Sequence, residues 1–296
     1  MLMQDGVAEL IDRLEADGGH RVLRQLKVRE GFVSRELAAS QTSVGLVVDV
    51  ETTGTDSSKG LIIELAMRRF RYDAEGRIVK IDQTWSWRED PGIALPDEIV
   101  RLTGITDADL AGQTIDDDTA TRLLRSADLV VAHNAAFDRK FVERRLPGVA
   151  GLAWACSCRE IDWPAAGFDG RSLGWLLAQA GWFHAAHRAS NDVDAVIALL
   201  GRKVAGGRTA LAELLESAAC PTVRIDAVGA DFRVKDDLRA RGYRWNGEDR
   251  VWWKEVQASS LSDEECWLAR HVYAPECFAR AEGPAMTEIT ARERYA

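Results

Sequence analysis

Apolar and polar positions divide the chain into stretches of different period. Val7, Leu10, Ile11 and Leu14 recur at helical spacing, and the pair Gly18-Gly19 that follows predicts the end of that helix. A second short helix is expected from Arg21 to Val28. From Val44 the pattern becomes strand-like. Val44 to Val48 is an uncharged run, and Leu61 to Tyr72 and Arg77 to Arg88 read as two further strands around the turn Asp73-Ala74-Glu75-Gly76. Helices are expected at 96–103, opened by Pro96-Asp97, and at 114–126. The short run Asp128-Leu129-Val130-Val131-Ala132 has the character of a strand buried in a parallel sheet, and it leads into a helix that ends near Arg145. A strand near 152–157 and helices at 171–182 and 190–204 follow. Sequential strands first and helix-separated strands later predict an α/β fold with a mixed sheet.

Beyond residue 205 the pattern starts afresh. A helical segment from Thr209 to Ala218 precedes Cys220-Pro221, and then come a strand at 223–228, a helix at 232–241, a turn through Gly242 to Trp245, a strand at 251–256 and a helix at 262–272. The expected organisation is an N-terminal helical extension (1–40), a main domain (41–205), a linker helix (206–220), a small Trp-rich β-α-β unit (221–277) and a polar tail (278–296).

Composition changes the picture little. A hydrophobic share of 46% and a charged share of 29% fit an ordinary globular protein. No apolar run is long enough to span a bilayer, and the start Met1-Leu2-Met3-Gln4-Asp5-Gly6 lacks the basic and apolar regions of a secretory signal, so a cytoplasmic location is expected. Five cysteines at irregular spacing do not predict a disulfide framework, and Cys156 and Cys158 read as core or near-core thiols. The net charge of −9 argues against coating nucleic acid by bulk electrostatics, although a carboxylate site partly neutralised by metal would contribute to that charge.

The candidate chemistry is acidic. Asp49 and Glu51 follow the first apolar strand and point to the same face of it, where their repulsion and lost hydration call for a divalent cation with oxygen ligands. Asn134, a good N-cap, opens the helix after the buried strand, and Asp138 falls in its first turn, at the sheet edge where open α/β folds place their ligands. Ser190 or Asn191 is expected to cap the last helix of the domain, with Asp192 in its first turn and His187 in the loop before it. An imidazole in such a loop can act as general base near neutral pH; His184, three residues earlier, is given no role. Four carboxylates and one histidine at strand ends and helix starts suit two-metal phosphodiester hydrolysis. In that chemistry Asp49 bridges two ions, Glu51 and Asp192 hold the one that activates water, and Asp138 helps hold the other.

Asp49-x-Glu51-Thr52-Thr53-Gly54, Ala132-His133-Asn134-Ala135-Ala136-Phe137-Asp138 and His187-Arg188-Ala189-x-Asn191-Asp192, in that order, resemble the motifs of the DnaQ-like exonucleases of the DEDDh branch, related to the epsilon subunit of DNA polymerase III and to ribonuclease T. The likeness spans about residues 44–204. It implies an RNase H-like mixed five-stranded sheet with flanking helices, two Mg²⁺ or Mn²⁺ ions held by Asp49, Glu51, Asp138 and Asp192, and His187 as general base. It also implies release of nucleoside 5′-monophosphates from single-stranded 3′ ends, with Thr52, Thr53, Phe137 and Asn134 near the terminal nucleotide. The expected function is therefore a 3′–5′ exonuclease acting on DNA. The alternatives are an RNA-trimming exoribonuclease of the ribonuclease T type and a non-catalytic nucleic-acid-binding module on the same fold. No recognisable docking tail supports a polymerase partner, and the sequence leaves the oligomeric state open.

In the small C-terminal α/β unit, basic and aromatic residues interleave. Arg244, Trp245, Trp252, Trp253 and Lys254 read either as accessory nucleic-acid contacts or, for the tryptophans, as the core of a small domain. Strand alternation puts Trp252 and Trp253 on opposite faces, so one can be core while the other is a platform.

Overall fold

The computed structural model describes residues 2–16, 18–33 and 41–296. The chain forms two units, one of residues 1–217 with 295–296 and the other of residues 218–294.

The first unit opens with α1 (Leu2–Ala16), whose Val7 and Leu10 are more than half exposed. The short helix expected over 21–28 is absent. Two two-residue strands stand there instead, β1 (Arg24–Gln25) and β2 (Gly31–Phe32). Tertiary pairing overrides local propensity at both, since β1 runs parallel to the distant Trp182–Phe183 and β2 adds to the edge of the main sheet. The part of the expected extension at 34–40 lies outside the described residues.

The main sheet is built from β3 (Ser43–Thr52), β4 (Ile62–Tyr72) and β5 (Ile78–Arg88), an antiparallel meander. Three short helices follow, α2 (Asp97–Thr103), α3 (Asp107–Leu110) and α4 (Asp117–Arg125). Next come β6 (Leu129–Ala132), α5 (Ala135–Arg145), β7 (Trp154–Cys156), α6 (Leu173–Gln179), β8 (Trp182–Phe183), α7 (Ala189–Leu200) and α8 (Ala210–Ala219). Strand order is β2-β5-β4-β3-β6-β7, with β6 parallel to β3 and to β7. This is the mixed sheet with flanking helices that the sequence predicts, with β2 as a sixth strand beyond the expected five.

One face of β3 carries Leu46, Val48 and Val50 into a core shared with Leu124, Phe141 and Trp154, all fully or almost fully buried. Apolar side chains alternating down β3 thereby free the opposite face for Asp49 and Glu51. Gly45 is required by a close approach, because a Cβ there would lie 2.2 Å from the ring of Phe70 on β4. The helix expected as a linker, α8, buries Ala210, Leu211 and Leu214, and the Thr209 hydroxyl before it donates to Gly76 O at 2.7 Å in the β4–β5 turn. Among the described residues no helix is long and apolar enough to cross a membrane.

The second unit continues with β9 (Thr222–Ala227), α9 (Lys235–Ala240), β10 (Arg244–Asn246), β11 (Val251–Gln257), α10 (Leu261–His271) and β12 (Ala285–Ile289). Its sheet is antiparallel in the order β10-β11-β9-β12, over a core that includes Val223, Ile225, Leu238 and Leu268. The stretch 278–296, expected as a polar tail, contains β12, which pairs with β9 from Ala285↔Asp226 to Ile289↔Thr222. Its mostly exposed side chains hide it from a hydrophobic pattern, since an edge strand is held by backbone bonds.

Candidate active site

Three elements bring the acidic residues together. On β3, Asp49 lies opposite Ala66 and Glu51 opposite Glu64 of β4, and the register shifts by one just after, between Glu51 and Thr52. That irregularity ends the ladder and starts the loop through Thr53 and Gly54. Asp49, Glu51 and Asp192 each offer an oxygen, and these all lie within 4.8 Å of one another.

Asp138, in the first turn of α5, is 4% exposed and accepts a hydrogen bond from the Val50 N–H at 3.2 Å. β6 pairs with β3 only as far as Val47, so Val50 has passed the end of its neighbour and takes a side-chain acceptor instead. Asp138 stands outside the 4.8 Å triangle, yet of the neighbouring charges its own raises Asp49 most.

Glu64 is a residue that sequence reasoning missed. It is 2% exposed, accepts the Ala189 N–H at 3.0 Å and is bridged by Arg188 at 3.3 Å. The first backbone donor of α7 is thus satisfied by a carboxylate from β4, not by Ser190 or Asn191, because the helix already begins at Ala189 and has no side-chain cap of its own. The available signal was a lone acid inside the apolar run Ile62-Ile63-Glu64-Leu65-Ala66-Met67.

Of the two histidines, only His184 departs from expectation. His187 is exposed in the loop before α7, in a left-handed backbone conformation with φ 61°. His184, given no role, has a side chain only 7% exposed and bonds through Nε2 to Asp192 Oδ1 at 2.7 Å. A third, His133, is held between Ser157 Oγ at 2.9 Å and Arg171 O at 2.8 Å, and burial pushes its pKa down. The Arg171 carbonyl can only accept, so Nε2 carries the proton and Nδ1 accepts from the serine.

Of the remaining predicted residues, Thr52 is buried and donates to Gly54 O at 2.8 Å, while Thr53 Oγ1 accepts the Leu61 N–H at 2.9 Å. Phe137 packs against Phe141 at 4.8 Å between ring centroids. Asn134 precedes α5 but makes no capping bond, and its side chain is exposed. In the second unit Trp252 packs on the core, whereas Trp253 faces the other way, with Arg224 at 4.9 Å and Arg244 at 6.0 Å from its ring centroid. Trp245 is 52% exposed, and Lys254 bonds Glu264 at 2.8 Å.

Electrostatics at the carboxylates are unfavourable as they stand. Desolvation, then repulsion by Asp138, Asp192, Glu51 and Glu64, holds Asp49 well above the usual carboxylate range. Desolvation and the charges of Asp192, Glu64 and Asp138 push Glu51 up to about 8. Desolvation raises Asp138 to about 7 against the bond from Val50. Among the described residues, neither Asp49 nor Glu51 has an ion-pair partner, and Arg188 only slightly offsets the field at Glu51. Clustered hard oxygen donors with uncompensated charge fit a divalent cation of the Mg²⁺ or Mn²⁺ class.

A family model described as Exonuclease, of the RNase_T family, matches residues 46–200. The epsilon subunit of DNA polymerase III from Aquifex aeolicus is 36% identical over 101 residues, covering 33% of this chain and 47% of that protein. Ribonuclease T from Shewanella oneidensis is 30% identical over 115 residues, covering 34% and 51%. The chain therefore spans about half the length of these two relatives. Among solved structures, exonuclease X in complex with 5′ overhanging duplex DNA aligns at TM-score 0.43 and 21% identity, over 58% of this chain and 99% of that one. E. coli exonuclease I with a dA16 oligonucleotide aligns at 0.46 and 16%, over 85% and 64%.

Proposed function

The chain belongs to the RNase_T exonuclease family, and from that membership we propose that it is a metal-dependent 3′–5′ exonuclease on single-stranded ends that releases nucleoside 5′-monophosphates. The observation that carries this reading is the convergence of Asp49, Glu51 and Asp192 within 4.8 Å, beside a buried Asp138 tied to the same strand. Asp49, Glu51, Asp138 and Asp192 would hold two Mg²⁺ or Mn²⁺ ions. When bound, such ions lower the pKa of a water and neutralise charge on a scissile phosphate.

The chain's own residues supply the rest. His187, exposed in the loop before α7, takes the proton of the attacking water. His184 holds Asp192 in place through the bond from Nε2. Thr52 and Thr53 fix the turn after β3 so that its backbone meets the terminal nucleotide, while Phe137 offers a ring and Asn134 an uncommitted amide. The name of the polymerase subunit relative supports DNA as the strand, and that of ribonuclease T supports RNA trimming as the second reading.

The test is His187→Ala. Turnover of an oligonucleotide should fall by about 10²- to 10⁴-fold, the usual share of a general base, while oligonucleotide affinity measured in chelator stays the same. Unchanged turnover would remove His187 from the mechanism. Binding without turnover in the unaltered chain, with either metal, would leave a binding module on a nuclease fold.

A further inference from the structure

The second unit carries a cavity of about 460 Å³ at one end of its sheet. It is lined by Phe232, Trp245, Trp252, Arg250, Arg280 and Asp231, among others. Its size suits a nucleotide-sized ligand. Phe232 is 75% exposed and Trp245 is 52% exposed, an arrangement the unit's own core does not need, because Tyr243, Leu238 and Leu268 already fill it.

The cavity is built in place by specific contacts. Gly229, at φ 68°, lies so close to the segment after α10 that a Cβ would meet Ala281 N at 2.7 Å, and the Arg280 N–H donates to Gly229 O at 2.7 Å. This fastens Arg280 to the rim. Across the cavity, Trp245 pairs with Trp252 in the β10–β11 hairpin, their rings 5.6 Å apart. Asn246 closes the hairpin turn by bonding Asp249 and the Glu248 N–H, and Arg250 follows in a left-handed conformation.

Arg224, Arg233, Arg241 and Lys254 of this unit are spent on Asp226, Asp231 and Glu264. Among the described residues neither Arg250 nor Arg280 is within ion-pair distance of a carboxylate, and both line this cavity, where Asp231, already paired with Arg233, also feels the charge of Arg280. The exposed ring of Trp245 and the face of Phe232 turned away from Lys235, whose Nζ is 3.9 Å from the ring centroid, lie beside Arg250 and Arg280, a set that matches a base with its phosphates. A base inside a duplex is stacked on both sides and cannot enter such a cavity.

We propose that this cavity is a stacking site for single-stranded nucleic acid, with a base against Phe232 and Trp245 and the flanking phosphates on Arg250 and Arg280. Trp253, Arg244 and Lys254 are not part of it. The first two lie on the opposite face of the sheet, and Lys254 is committed to Glu264.

The test uses the full chain carrying Asp49→Ala, in chelator, so that binding is read without cleavage and independently of the hydrolytic reading. Fluorescence anisotropy with labelled dT12 and U12 should show Phe232→Ala and Trp245→Ala each weakening binding about tenfold, as loss of one stacked base does. Arg250→Glu with Arg280→Glu, which disturbs no packed residue, should weaken binding and lower the slope of log affinity against log salt by about 1.4, at about 0.7 per phosphate contact. Met286→Ala, exposed on β12 outside the cavity, should change nothing. Folding is checked by circular dichroism, and the charge-reversed variant decides if an aromatic variant fails to fold. Affinities within twofold of the parent for the folded cavity variants would overturn the proposal. So would competition by adenosine 5′-monophosphate as strong as that by the strand, which would make the cavity a mononucleotide site.

Discussion

Glu64 is a carboxylate with almost no access to water, placed on a strand directly opposite another acid, and its two partners explain why it is tolerated. By accepting from Ala189 and bridging Arg188, it fixes where α7 begins and therefore where Asp192 points. Glu64→Ala would leave a buried N–H and a guanidinium unsatisfied, with an expected loss of about 1–3 kcal/mol in urea unfolding; Glu64→Gln, which keeps an acceptor, should lose less. His184 acts on the same aspartate, so His184→Ala should weaken Mn²⁺ binding about tenfold in a titration followed by magnetic resonance. The carboxylates themselves predict an inverted pH profile. The folded, metal-free chain keeps protons on Glu51 and Asp138 up to about 8 and about 7, whereas the unfolded chain releases them in the ordinary carboxylate range. The folded state then binds more protons than the unfolded one, so stability falls as pH rises from about 5 to about 8. Melting in chelator should show that fall, and Mg²⁺ or Mn²⁺ should shrink it, since bound metal favours the ionised forms.

At the scale of elements, the site depends on β3 reaching beyond β6 and on α5 and α7 each starting at the same sheet edge. Gly45 lets β3 lie against the ring of Phe70, so Gly45→Ala should cost about 1–3 kcal/mol through forced displacement of β4, read as a lower urea midpoint. Much of this was legible in the sequence. The alternation Leu46, Val48, Val50 against Asp49 and Glu51 contains both the core face and the ligand face of β3. The first-turn positions of Asp138 and Asp192 also follow from where their helices start. What was not legible depends on partners far away in sequence. β1 exists because Trp182 and Phe183 lie beside it, and the role of His184 depends on how the loop before α7 folds back. The cap of α7 comes from Glu64, 125 residues earlier, which no local capping rule can reveal.

At the scale of the whole molecule the described residues form separate cores, among them one beneath the carboxylates and a second around Leu238 and Leu268. Truncating a fully buried residue of the second, as in Leu238→Ala, should cost about 2–5 kcal/mol within that unit while leaving Mn²⁺ affinity at the carboxylates unchanged. The net charge of −9 is consistent with the proposed cation-dependent centre and with the proposed hold on a strand through stacking and a few arginines, not bulk electrostatics. The most direct measurement is digestion of matched 5′-labelled DNA and RNA oligonucleotides by the full chain and by Asp49→Ala, with Mg²⁺, Mn²⁺ or chelator. The account predicts a ladder shortening from the 3′ end that disappears in chelator and in the variant, with the faster strand naming the substrate. No shortening of either strand with either metal, or shortening that persists in Asp49→Ala, would contradict it.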